Sequence, residues 1–121
     1  SAVTDFYAAW QGATGLDTVP LLDTGAGTNF QYTWYGKGVI DSFPGDTQDM
    51  GAMTLGLGCF QNSTLTTSDY SDLLVNLETN NQNASVTFHG GSSLYSAGAA
   101  ATARAALIAD HSWTITDGGE A

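Results

Sequence analysis

The sequence predicts an α/β fold built as a short solenoid, with parallel strands, helical crossovers and a C-terminal cap of strand, helix and strand. The main observation is a repeat: the pattern of the stretch from Thr4 to Pro20 recurs in the stretch from Thr28 to Pro44. Thr, Phe, Trp, Gly, Asp and Pro stand at matching positions in both copies. A second observation is that short apolar runs alternate with helical patterns along the chain. A period of about 20 to 29 residues is typical of solenoids, whose units bury their apolar faces against one another.

The two clear repeats, here called unit one and unit two, follow one plan. Each opens with a residue suited to cap a helix, and a Phe and a Trp follow at a spacing of four. Phe6 and Trp10 therefore share one face of a predicted helical turn. The same holds for Phe30 and Trp34. We expect all four rings to stack in the core, since each unit must bury something large.

A third unit is degenerate. Phe60 corresponds to Trp34 and Leu65 to Ile40, at intervals slightly longer than the one that separates units one and two. Asn62 takes the position that a glycine holds in the first two units. The slip in spacing is attributed to a longer polar linker before this unit. Its glycines make a helical turn less favourable here.

The pattern changes after Thr66. Ser68 is expected to cap a helix reaching Glu78, with an amphipathic face of Tyr70, Leu73, Leu74 and Leu77. An Ala-rich helix is expected from about Ala97 to Ala109. Predicted strands lie near 16–19, 40–43, 64–66, 85–88 and 112–116. The first begins at Leu16, after Gly15. The ordered structure is predicted to end at 117–119, after the last strand. Residues 1–121 are thus predicted to be a single domain, with two to three repeats in 1–66 and the cap in 67–121.

The composition excludes several classes of partner. Twelve Asp and Glu residues stand against only Lys37 and Arg104, which gives a net charge of −10. Two cations cannot form the basic face that nucleic acids or anionic membranes require. No apolar run approaches the ~18 residues needed to span a bilayer. Cys59 is the only cysteine, so an internal disulfide is excluded and a buried apolar role is expected.

No catalytic constellation is recognisable. The two histidines, His89 and His111, lack the spacing of metal ligands. The carboxylates of 46–49 and of Asp69 and Asp72 offer oxygens suited to Ca²⁺, although a polar loop and a helix start explain them more simply. The glycine-rich 90–93 segment lacks the pattern of a nucleophile elbow. The sequence therefore predicts no enzyme activity, no cofactor and no metal site, with a metal-dependent enzyme as the most remote alternative.

Candidate binding residues lie on two features. The first is the exposed face of the predicted strands, the usual binding surface of such solenoids. The second is a set of tyrosines outside the stacked core, Tyr7 and Tyr35 with Tyr32 as a further candidate, beside Asn and Gln, a setting that suits contact with sugars or proteins. The predicted binding residues are Asp17, Thr18, Asp41, Ser42, Thr64, Thr66, Tyr7 and Tyr35.

These motifs resemble a known family. Thr-Asn-Phe-x-x-x-Trp-x-Gly followed by Ile-x-Ser-Phe-Pro in 28–44, and less closely 4–20, is similar to the BspA-type leucine-rich repeats of bacterial surface proteins and of phage virion relatives. The chain has Gly12 and Gly36 where the family usually has Cys or Asn. The tail also resembles the family's usual ending, with Ser112 replacing the glycine before Trp-Thr-Ile-Thr.

The resemblance implies a leucine-rich-repeat-like solenoid used for adhesion or assembly, with no catalytic residues to carry over. The expected function is recognition on a bacterial or virion surface, outside the cell, by binding a host-surface protein or glycan. The alternative is a structural subunit of a virion or surface assembly, which contacts sister chains and forms a homo-oligomer within it.

Overall fold

The computed structural model describes residues 3–13 and 17–121, and in this part of the chain an α/β arrangement of two helices and six short strands is present. The helices are α1 (Thr67–Asn80) and α2 (Ala99–His111). The strands are β1 (Gly38–Ile40), β2 (Ser63–Leu65), β3 (Thr87–His89), β4 (Leu94–Tyr95), β5 (Thr114–Thr116) and β6 (Gly119–Glu120). All pairing is parallel, in the pairs β1–β2, β3–β5 and β4–β6. The domain is thus α/β with parallel strands, as predicted.

The predicted parallel strands do not form one continuous sheet. Among the described residues they make three separate two-stranded pairs and no closed sheet. The predicted first strand is reduced to one bridge between Thr18 and Ser42, and its expected start at residues 15–16 lies outside the described residues. The predicted end of order at 117–119 is wrong, because β6 pairs with β4. Gly119 permits this pairing by adopting φ +93°, which side chains disfavour.

The predicted helical turns in units one and two are also wrong. Ala8 and Tyr32 have positive φ, as do Gly12 and Gly36, so these segments are chains of turns. Because of these left-handed residues, the backbone N–H groups of alternate residues point toward the next unit. In unit one, four amides donate to carbonyls of unit two over 2.8–2.9 Å: Phe6 to Asn29, Ala8 to Gln31, Trp10 to Thr33 and Gly12 to Tyr35.

Unit two is hydrogen-bonded to unit three in the same pattern, through the amides of alternate residues. Its amides donate over 2.7–3.0 Å: Phe30 to Leu55, Tyr32 to Leu57, Trp34 to Cys59 and Gly36 to Gln61. Two details of the predicted alignment are confirmed. Asn62 adopts φ +62° where its counterpart glycine adopts +73°, and Ile40 pairs with Leu65. Asn is one of the few non-glycine residues that accept this conformation readily.

Stacked aromatic rings fill the space behind these units. Trp34 lies between Trp10 and Phe60, with ring centroids 5.7 Å and 5.1 Å away and nearly parallel planes. Phe6 stacks on Phe30 at 5.3 Å. The core prediction is confirmed for the buried rings, whereas Trp10 remains partly exposed. Cys59 is buried as expected, and burial raises the pKa of its thiol.

The two helices pack on each other, and Asn76 of α1 donates to the carbonyls of Gly45 and Gln48, between units two and three. α1 buries the predicted face of Tyr70, Leu73, Leu74 and Leu77. Its cap is Thr66 rather than the predicted Ser68, since the Thr66 hydroxyl accepts from the Asp69 amide at 3.1 Å. α2 contributes Ala100, Ala103 and Leu107, small side chains that allow close packing. Neither helix in the described part of the chain is long and apolar enough to cross a bilayer.

Candidate functional site

The predicted polar face on the strands is only partly assembled. Thr18 and Ser42 form a parallel bridge, and the Asp41 amide donates to the Asp17 carbonyl at 2.8 Å. These four residues are exposed and adjacent. The two carboxylates therefore face the solvent from matching positions of neighbouring units, an arrangement of like charges that opposes stability.

The two threonines of the predicted set are placed differently. Thr64 lies in β2 opposite the exposed Val39 of β1, and it is half-buried. Thr66 lies beyond the end of β2 and caps α1, so its placement on the third strand was wrong. The reason is that the helix begins earlier than its amphipathic pattern suggested. The hydroxyl of Thr66 is therefore used within the fold.

Both cations are engaged inside the molecule. Lys37 is buried and its Nζ donates to the Ala13 carbonyl at 2.7 Å. Burial lowers the pKa of Lys37, and the charge of Asp17 opposes that shift. Arg104 pairs with Asp117, with Nε and Oδ2 2.9 Å apart. Neither cation is therefore available to neutralise a bound anion, and the surface carries the negative charge almost uncompensated.

The predicted tyrosines are brought together by a third one. Tyr7 and Tyr32 pack edge to face with centroids 5.8 Å apart, and Tyr32 and Tyr35 do the same at 5.6 Å. The Tyr35 hydroxyl also accepts from Asn62 Nδ2 at 3.0 Å. Gly58 makes room for this cluster, because a Cβ there would collide with the Tyr32 ring. Tyr7 and Tyr35 therefore belong to one group, with Tyr32 as its centre.

The tyrosine group continues into an apolar groove on unit three. The inter-unit hydrogen bonds place Tyr7, Gln31 and Leu57 at matching positions of the three units. A groove of about 190 Å³ is lined by Gln31, Leu55, Gly56, Leu57 and Thr87. Tyr7 is 56% exposed, Leu55 46% and Leu57 44%. We call Tyr7, Gln31, Tyr32, Leu55 and Leu57 the tyrosine–leucine surface.

Most of this surface was missed from the sequence. The predicted binding residues do not include Leu55 or Leu57. The signal that identifies them is the interval between Trp34 and Phe60, which places position 57 beside position 31. Combined with the interval between units one and two, it places Leu57 in line with Gln31 and Tyr7.

Two of the carboxylates considered for Ca²⁺, those of Asp49 and Asp69, accept hydrogen bonds within the fold. Asp46 and Asp49 line a polar cavity of about 360 Å³, where Asp49 Oδ1 accepts from the Gly51 amide at 3.0 Å. Asp69 accepts from the Phe43 amide at 3.0 Å, which ties α1 to unit two. No group of three His, Cys, Asp or Glu side chains within 3–13 and 17–121 is placed to hold a metal ion.

Neither histidine side chain lines the groove of the tyrosine–leucine surface, although the His89 amide donates to the carbonyl of Gly56 in that groove at 3.3 Å. His89 Nδ1 accepts from the Gly91 amide at 3.0 Å and thereby fixes the turn after β3. Burial lowers the pKa of His89, against a smaller opposing effect of Asp117. His111 ends α2.

Comparisons with known proteins found no matching family model, no matching curated protein and no matching solved structure.

Proposed function

We propose that this chain is a non-catalytic recognition domain that binds a partner protein through the tyrosine–leucine surface. The observation that carries the proposal is the continuity of this surface across three units, from Tyr7 over Tyr32 to the groove at Leu57. Tyrosine is enriched at the centres of protein interfaces, and charged side chains are depleted there. The residues that form this surface carry no charge.

The charge of the chain selects among possible partners. The net charge of −10 and the internal use of both cations favour a partner with a basic rim around an apolar contact. Complementary charges would speed association and raise specificity more than affinity. The same charge disfavours anionic glycans. Of the two ligand classes expected from the sequence, a host-surface protein therefore fits better than a glycan.

The finer architecture and the family are part of the proposal. We infer that the units form a short leucine-rich-repeat-like solenoid of the BspA type. The support is the row of inter-unit hydrogen bonds, which recurs from unit to unit, together with the stacked rings of Trp10, Trp34 and Phe60. A display domain of this kind would act outside the cell, on a bacterial or virion surface.

The structural alternative rests on apolar exposure elsewhere. Val39 on β1 is 65% exposed, Leu21 is 61% exposed, and Ile108 on α2 is 40% exposed. A subunit surrounded by sister chains in an assembly would cover several such positions at once, whereas a recognition domain needs one free surface.

Site-specific photo-crosslinking distinguishes these functions. Tyr7 and, separately, Leu57 would be replaced by p-benzoylphenylalanine in the chain produced by its own organism, with host cells present. Ile108 is the matched control, since it has similar exposure but lies on α2. The recognition function predicts one host protein crosslinked from positions 7 and 57 and not from position 108.

Other crosslinking results would contradict that function. Crosslinks to sister chains or assembly components from all three positions would establish the structural alternative. Retention on host polysaccharide, with no crosslinked protein, would show a glycan ligand instead. If crosslinks formed only from residues substituted at Asp17 or Asp41, the polar strand face would be the binding site.

A further inference from the structure

One residue makes the backbone hydrogen bonds between β3 and unit three. In the described part of the chain, the Phe60 amide donates to the His89 carbonyl at 2.9 Å, and the His89 amide donates to the Gly56 carbonyl at 3.3 Å. Units one and two, in contrast, are joined by four amides of alternate residues at 2.8–2.9 Å. Gly56 of unit three and Thr87 of β3 both line the apolar groove. The groove therefore lies at a sparsely bonded junction that depends on His89.

The side chain of His89 fixes the turn that follows these bonds. Its Nδ1 accepts from the Gly91 amide at 3.0 Å. Gly91 is buried with φ +69°, and a Cβ there would collide with the carbonyl oxygens of Phe60 and Ser63. The turn is thus packed directly against unit three. A ring nitrogen that accepts a hydrogen bond carries no proton, so this arrangement requires that Nδ1 be unprotonated.

Protonation is incompatible with this turn. In the imidazolium both ring nitrogens are donors, so Nδ1 can no longer accept from Gly91. The buried Gly91 amide then lacks an acceptor, which destabilises the turn. Because Gly91 already touches unit three, the turn can move only away from it. The bond from His89 to Gly56 is longer than a typical N–H···O bond and is therefore the weaker of the two that hold β3.

The groups around His89 leave its ionisation to govern this junction. The titratable side chains of the elements around it are Asp117 after β5, Tyr70 on α1, Arg104 on α2 and the buried thiol of Cys59 in unit three. Asp117 favours the imidazolium, but it already accepts from the Tyr70 hydroxyl and from Arg104. Burial is the larger effect and lowers the pKa of His89. Residues 55–65 carry no charged side chain that could respond in its place.

We propose that His89 is a proton-responsive hinge that regulates the groove of the tyrosine–leucine surface. With neutral His89, β3 is held against unit three and Thr87 completes the groove. Protonation releases the turn, weakens both bonds of His89 to unit three and moves Thr87 away from Gly56 and Leu57. A partner in the groove is then held near neutral pH and released in acid. That consequence rests on the proposed function, whereas the hinge is a property of the free chain.

The test measures amide hydrogen exchange in the full chain without any partner, at about pH 7.5 and about pH 5, on either side of the ordinary histidine pKa. Protection factors, corrected for intrinsic rates, are compared for Phe60 and Trp34. Trp34 is the matched control, since its amide donates to the Cys59 carbonyl at 2.9 Å in a junction without histidine. In acid, protection of Phe60 should fall about tenfold or more and that of Trp34 less than about twofold. The Leu57 methyl resonances should shift with the same midpoint, and those of Leu21 should not.

Two variants assign the response to the right side chain. His89→Asn keeps an acceptor for the turn but does not titrate. In this chain Asn29 and Asn81 already accept from the amide two residues later, at 3.0 Å and 2.9 Å. The variant should therefore keep the neutral-pH protection of Phe60 at both pH values. His111→Asn, which removes the other histidine, should keep the wild-type response to acid.

Four results would overturn the proposal. The first is equal protection of Phe60 at both pH values in the wild type. The second is a parallel loss at Trp34, which would show general loosening rather than a hinge. The third is an unchanged acid response in His89→Asn. The fourth is loss of protection at Phe60 with unchanged Leu57 methyl resonances, because the hinge would then not reach the groove. Absence of a crosslinked partner contradicts the proposed function and not the hinge.

Discussion

Trp34 lies between two stacked rings, and its truncation tests the packing of the units. The ring is fully buried, with Trp10 and Phe60 on its two faces and Phe43 edge-on at 5.1 Å. Trp34→Ala removes a fully buried indole, so the free energy of unfolding should fall by about 3–5 kcal/mol. At an m-value of about 2 kcal/mol per molar urea, the unfolding midpoint should fall by roughly 2 M.

A milder substitution separates packing from hydrogen bonding. The Trp34 Nε1 donor is buried and has no partner among the described residues, whereas Trp113 Nε1 donates to the Asn83 carbonyl at 2.8 Å. Both side chains are at most 2% exposed. Trp34→Phe removes an unpaired donor, while Trp113→Phe leaves a carbonyl unpaired. Trp113→Phe should therefore be the more destabilising substitution, by about 1–3 kcal/mol.

Urea denaturation followed by circular dichroism measures all three variants against the wild type. A decrease of less than about 1 kcal/mol in the free energy of unfolding of Trp34→Ala would contradict the packing role of the ring, since a fully buried ring cannot be removed at so small a cost. Equal destabilisation by Trp34→Phe and Trp113→Phe would show that the two indole donors are equivalent, which contradicts the predicted difference.

Three further predictions concern single positions. Gly58→Ala should destabilise the fold more than Gly38→Ala and displace the Tyr32 ring, because both glycines have positive φ but only Gly58 faces an obstructing ring; thermal unfolding and the ring's NMR contacts measure this. The lowered pKa of His89 means that protonation opposes folding, so stability should be complete above about pH 6.5 and fall as pH drops through that value. His89→Asn, which keeps an acceptor but does not titrate, should show a weaker fall in thermal melts between about pH 7.5 and 5, and an unchanged profile would contradict the assignment. Asp117→Asn should lower the free energy of unfolding by about 3 kcal/mol, because it leaves a partly buried arginine without its anion; a loss under about 1 kcal/mol in urea would show that the pair is dispensable.

The sequence predicted which residues correspond between units better than it predicted their backbone conformation. The match of Asn62 to Gly36 and of Leu65 to Ile40 followed from spacing alone, and the pairing of β1 with β2 confirms it. The helical turns were wrong because the Phe–x–x–x–Trp spacing fits two backbones. A chain of turns with left-handed residues also places Phe30 and Trp34 on one side, and Ala8 and Tyr32 give no local signal of positive φ.

The candidate site was predicted in part, for a related reason. Tyr7 and Tyr35 were selected as exposed aromatics, but only tertiary contacts connect them through Tyr32. Thr66 was placed on a strand because residues suited to strands and to helix caps overlap in type. The C-terminal segment is anchored by Asp117, whose Oδ2 accepts a hydrogen bond from the Tyr70 hydroxyl. These two residues lie far apart in the sequence, so no local pattern predicts their contact.

Hydrogen exchange at the amides of unit two tests the stacked units most directly. Tyr32 and Trp34 donate to carbonyls of unit three, whereas Thr33 and Tyr35 donate only to the carbonyls of Phe30 and Tyr32 within the same unit. The stacked arrangement predicts an alternating pattern, in which the first pair exchanges much more slowly because release requires separation of the units. Uniform protection across residues 31–36, as in a helix, or rapid exchange at all four amides, would contradict the arrangement.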